Sequence, residues 1–225
     1  SLLMQIESLD EVSPLFYLPD GIRRQLRSPS REDLRLEVQT VCDQIDALAA
    51  TCLLGEPTWR SEEAVDRSKL TDYYIFRSAK GQSELAHNHL SHLLGLIVGR
   101  WDVRNSQKAP TASGFSDPFA PLPTCPPGML QNAHGLPAAP ADVPADYPLR
   151  ISWPGILVDD PGHPEDIEAR VRDALRVIWP DNADAIEQEA CQILGVTSLR
   201  EYLASPSRFF DDHLKRYSKS RRQAP

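Results

Sequence analysis

The 225-residue chain has eleven glycines but no Gly-x-Gly, so neither a phosphate-cradling loop nor a dinucleotide fingerprint is present. There is no G-x-S-x-G, and none of the four cysteines (Cys42, Cys52, Cys125, Cys191) stands in a recognisable catalytic setting. Those cysteines are far apart and form no C-x-x-C pair, a spacing that suits reduced thiols in a cytoplasm better than a disulfide framework or a zinc site. No apolar run approaches the roughly twenty residues of a membrane span, and no basic-then-apolar leader opens the sequence. Also missing is an initiating methionine: the opening Ser1-Leu2 reads as a piece of a longer polypeptide.

What is present is an uneven distribution of charge. Lys and Arg number 24 against 32 Asp and Glu, for a formal net charge of −8. Net negative charge argues against nucleic-acid binding over the whole surface. Yet five cations (Lys215, Arg216, Lys219, Arg221, Arg222) fall within positions 215 to 222, around Tyr217, and no acid follows Asp212. A local positive cluster on a negative molecule is a place for an anionic partner. Phosphate backbones are the commonest such partner, because Lys and Arg bound there release condensed counterions. A solvated, frayed terminus is the competing reading of the same residues.

The expected fold is mainly α: a helical hairpin plus a small helical domain, with minor β structure and a long proline-rich irregular segment. Ser30 reads as an N-cap, and Leu34, Val38, Val41, Ile45, Leu48 and Cys52 follow at spacings of 4, 3, 4, 3 and 4, a narrow apolar stripe ended by Gly55 and Pro57. A second helix is predicted over residues 83–101, antiparallel to the first, after the strand-like run Tyr73-Tyr74-Ile75-Phe76. Together residues 1–104 read as a helical scaffold. Residues 105–150 hold ten of the twenty prolines and read as a linker or draped loop, since proline removes donors and fixes φ. Residues 151–225 read as a small helical domain with the basic tail. Within it, 149–158 is a candidate strand, Asp159-Asp160-Pro161-Gly162 a turn, and Pro164-Glu165-Asp166 a helix start. Further helices are expected after Pro180 as far as Gly195, over residues 198–204, and before the tail.

Two clusters invite chemistry. His87-x-His89-x-x-His92 places at most two imidazoles on one helix face, so surface or packing histidines are expected there rather than a metal site. Asp159, Asp160 and His163 could hold a divalent ion or act as a general base, but aspartates before Pro-Gly are also what a turn into a helix requires.

Several strings together resemble one family. They are Gly99-Arg100-Trp101-Asp102, Pro118-Phe119-Ala120-Pro121-Leu122-Pro123, and Cys125-Pro126-Pro127-Gly128-Met129. With them go Gly155-Ile156-Leu157-Val158-Asp159-Asp160-Pro161-Gly162-His163-Pro164 and the terminal basic run. Over residues 72–225 the chain resembles the post-catalytic, spacer and target-recognition region of large bacterial adenine-specific DNA methyltransferases. These are the type IIG restriction–modification methylases and the methyltransferases of BREX-type phage defence. In such enzymes a separate catalytic domain binds S-adenosylmethionine and methylates a flipped-out adenine through an Asn/Asp-Pro-Pro-Tyr/Phe tetrapeptide. Asp117-Pro118-Phe119 lacks the second proline, so no catalytic residue carries over.

The resemblance therefore implies a non-catalytic segment that positions duplex DNA for a missing catalytic methyltransferase domain, with S-adenosylmethionine belonging to the parent protein. Lys215, Arg216, Lys219, Arg221 and Arg222 become phosphate-contacting candidates and Tyr217 a partner for sugar or backbone. Two other classes remain open. One is a protein–protein interaction scaffold built on residues 30–103, which an exposed apolar seam would favour. The other is a metal-dependent hydrolase at Asp159, Asp160 and His163.

Overall fold

In a computed structural model, residues 5, 8, 9, 11, 13, 15–19, 22, 31–54, 81–107 and 121–214 are described. Among these the chain is mainly helical, as its periodicity predicts, and has no sheet. The α-helices are α1 (Arg31–Leu54), α2 (Gly81–Ile97), α3 (Ile167–Ile178), α4 (Ala183–Leu194) and α5 (Leu199–Leu203). None is long and apolar enough to cross a membrane. Ser30, Gly55, Pro57 and the run Tyr73–Phe76 lie outside the described residues.

Local chemistry sets the ends of the C-terminal helices. Asp166 caps α3 by accepting from the Ala169 amide at 3.1 Å. The sequence predicts Pro164 as the first helical residue, but the cap belongs to Asp166, and Pro164 and Glu165 precede the helix. From there Ile167, Val171, Ala174, Leu175 and Ile178 recur on one face and are all buried. Gly195 ends α4 at φ 65°, a left-handed conformation that costs a side chain little only when it is absent. Ser198 caps α5, its Oγ accepting from the Glu201 amide at 3.3 Å, while the Glu201 carboxylate accepts from the Thr197 amide at 2.9 Å.

α2 is the central rod. Its Leu90, Leu93, Leu96 and Ile97 are buried in one core with Phe16, Leu18 and Ile22 before it and with the apolar faces of α3, α4 and α5 after it. Leu149 also enters this core, and Tyr147 and Met129 pack against it, so spans 1–104, 105–150 and 151–225 all contribute to the same interior. α1 stands apart from it. Leu34 and Val38 of its stripe are buried, against Leu9, whereas Val41, Ile45 and Leu48 are exposed.

The sequence extends the second helix to Trp101, but α2 stops at Ile97. Gly99 takes φ 73°, and the Arg100 and Trp101 amides return to the Gly95 carbonyl at 2.8 and 3.2 Å. This turn folds Trp101 back over its own helix. A Cβ on Gly95 would lie 2.3 Å from the Trp101 ring. The chain leaving the turn then pairs with the proline-rich segment: Asp102 donates to the Gly128 carbonyl at 3.0 Å, Leu130 to that of Arg100 at 3.2 Å, and Gly128 to that of Phe16 at 2.8 Å. These contacts, with isolated bridges such as Trp101 to Met129, are the minor β structure. A Cβ on Gly128 would meet the Tyr17 carbonyl oxygen at 2.3 Å.

Residues 149–158 are not a strand. Ser152 donates to the Ile97 carbonyl at 2.8 Å, Gly155 closes a turn onto Ser152 at 2.8 Å with φ 68°, and Pro154 has no amide to offer a ladder. A lone parallel bridge from Val158 to Asp166 remains of the expected pairing.

Two substitutions test this packing. In a helix Gly→Ala is ordinarily favourable by about 0.5–1 kcal/mol, but at Gly95 the new methyl must displace a fully buried indole. At Gly128 it meets backbone that cannot rotate away. Both Gly95→Ala and Gly128→Ala should therefore destabilise, by roughly 1–3 kcal/mol of overpacking. Urea denaturation would read the change as a lower midpoint, and an unchanged or raised midpoint would refute the packing.

Candidate nucleic-acid interface

Lys215, Arg216, Tyr217, Lys219, Arg221 and Arg222 lie outside the described residues, which end at Leu214. What is described is the joint from which that run departs. After α5, Pro206–Phe210 form a π-type turn, and residues 211–214 add one helical turn. Phe209 is buried at this joint and stacks on His213 with centroids 5.2 Å apart.

Two hydrogen-bond chains fasten the joint to the central rod. In the first, Tyr202 donates its hydroxyl proton to Asp212 Oδ2 at 3.3 Å, and the Tyr202 hydroxyl oxygen lies 2.9 Å from His87 Nδ1. The Tyr202 hydroxyl thus bridges Asp212 and His87. Burial, with the Asp212 charge and hydrogen bond adding to it, holds the Tyr202 phenol well above its ordinary range. In the second, Ser91 donates to Glu11 Oε2 at 2.8 Å and has His213 Nδ1 at 3.4 Å, while Trp101 Nε1 donates to Glu11 Oε1 at 3.0 Å. The buried Glu11 carboxylate is thus the acceptor at which the N-terminal segment, α2 and the Trp101 turn converge, and Ser91 links it to the C-terminal joint.

The three histidines of α2 diverge. His87 meets Tyr202 and Phe209, His89 sits edge-on to Trp179 at 6.2 Å, and His92 stacks on Trp101 at 6.3 Å while meeting Phe16 edge-on. Among the described residues neither ring nitrogen of His92 has a hydrogen-bond partner. Its burial, reinforced by His89, pushes its pKa down to about 3.

Asp159, Asp160 and His163 are likewise spread over separate structural tasks. Asp159 pairs with Arg200, the Asp160 amide donates to Asp166 Oδ1 at 3.2 Å, and His163 Nδ1 accepts from the Glu165 amide at 3.0 Å. Among the described residues no group of three or more His, Cys, Asp and Glu side chains is placed to hold a metal ion. Sequence reasoning missed Arg200, the hub of this region. It binds both oxygens of Asp166 at 2.8 Å and reaches Glu168 at 3.2 Å. Burial would raise the Asp166 carboxyl, but the Arg200 hydrogen bonds and the Ala169 amide outweigh it and hold Asp166 below its ordinary value. Nearby, Arg172 grips Glu187 with its shortest contact at 2.7 Å, tying α3 to α4. Asp159, Glu165, Asp166, Glu168, Asp173 and Glu187 are in this way paired with arginines.

An open groove of about 620 Å3 lies beside that pair, lined by residues including Arg172, Arg176, Glu187, Gln188, Cys191 and Thr197. It contains no glycine for close backbone approach, and the guanidinium of Arg172 is already committed to carboxylates. Burial pushes the Cys191 thiol up, away from a reactive thiolate. Comparison with protein-family models, with curated proteins and with solved structures finds no match to this chain.

His92 makes acid stability measurable. Its folded pKa of about 3 lies below the ordinary 6.5, so the unfolded chain binds the proton more readily. Its contribution is complete above pH 6.5 and is lost as pH falls through the interval from 6.5 toward 3. At pH 5 the loss is about 2 kcal/mol by linkage. Replacing His92 by Leu should flatten the pH dependence of the urea midpoint between pH 7 and 5 relative to the parent. Equal slopes in the two proteins would show that His92 is not the buried neutral group.

Proposed function

We propose that this chain is a non-catalytic segment of an adenine-specific DNA methyltransferase of a restriction–modification or phage-defence system, and that it helps position duplex DNA. The catalytic methyltransferase domain, with its S-adenosylmethionine, is then a neighbouring part of the parent protein. The observation that carries the reading is the joint. Asp212 and His213, just before the cationic run, are bonded to the buried Tyr202 of α5 and Ser91 of α2, so the run departs from a fixed point on the body. Lys215, Arg216, Lys219, Arg221 and Arg222 contact phosphates and Tyr217 packs on the backbone. Such contacts set register and orientation without reading bases.

The test is a salt titration of duplex binding by the full-length parent protein and by a variant with those five cations made neutral. Five phosphate contacts contribute a log–log slope of about −4.5 in affinity against salt. The variant should bind more weakly by a similar factor on every duplex and lose most of that slope. A variant with unchanged affinity and slope would remove the tail from the interface.

A further inference from the structure

We draw no further inference here: the strongest candidate, the open groove beside the Arg172–Glu187 pair of α3 and α4, carries nothing, because Arg172 is already bonded to Glu168 and Glu187 and, among the described residues, no buried unpartnered polar side chain lines it to select a ligand.

Discussion

The fold depends on one buried carboxylate. Glu11 is withdrawn from water, and a buried acceptor costs free energy unless donors meet it. Trp101 Nε1 meets one oxygen and Ser91 Oγ the other. Because these donors stand 80 and 90 residues from Glu11, satisfying this one group fixes the N-terminal segment against α2 and against the turn after it. Trp101 can reach it only because Gly95 leaves room and Gly99 turns the chain back. The guanidinium of Arg100 lies 4.6 Å over the same indole, covering its outer side. Arg100 and Asp102, placed by that turn, then hold the proline-rich segment through Leu130 and Gly128.

A second constraint is electrostatic. α3, α4 and the loops beside them are rich in acids, and the fold answers with arginines that each serve more than one carboxylate. Arg200 reaches Asp159, Asp166 and Glu168; Arg172 reaches Glu168 and Glu187. The carboxylates of Asp166 and Glu168 are buried, so the attraction is set against the cost of desolvating them. The effect of these pairs is positional: Asp166 is at once the cap of α3 and the partner of α5, so the relation between the two helices is set where the first one starts.

What could be read from the sequence was local. Gly195, Ser198 and the 3.6-residue recurrence from Ile167 to Ile178 each act within a few residues, and α3, α4 and α5 lie close to where those signals place them. Residues 149–158 misled because their alternation is strand-like while the Pro154-Gly155 turn within them is decisive. The joint was not legible. Nothing in the spacing of Glu11, Ser91 and His213 announces that they meet, and Arg200 stands 41 residues from Asp159. The string Gly99-Arg100-Trp101-Asp102 drew notice as a resemblance. Its structural content is a left-handed turn, a stacked cation, a buried indole and an acid that pairs with Arg104 at 2.6 Å. The cationic run was legible from charge alone, and it lies beyond the described residues.

Charge also limits how DNA could be held under the proposed function. The net −8 includes the five tail cations, so the rest of the chain sums to −8 − 5 = −13. A duplex drawn to the tail is therefore repelled by most of the remaining surface, and the two effects differ in range. Contacts between cations and phosphates persist at close approach, while repulsion from the body is screened beyond roughly 8 Å at physiological ionic strength. DNA would be held at the end of the molecule and kept off its acidic helices. That geometry needs the base of the tail to be fixed, because a loosely attached basic segment would let the duplex swing toward or away from a neighbouring active site. The two hydrogen-bond chains through Asp212 and His213 supply that fixity, with their far ends on buried His87 and Glu11 and not on the exposed surface.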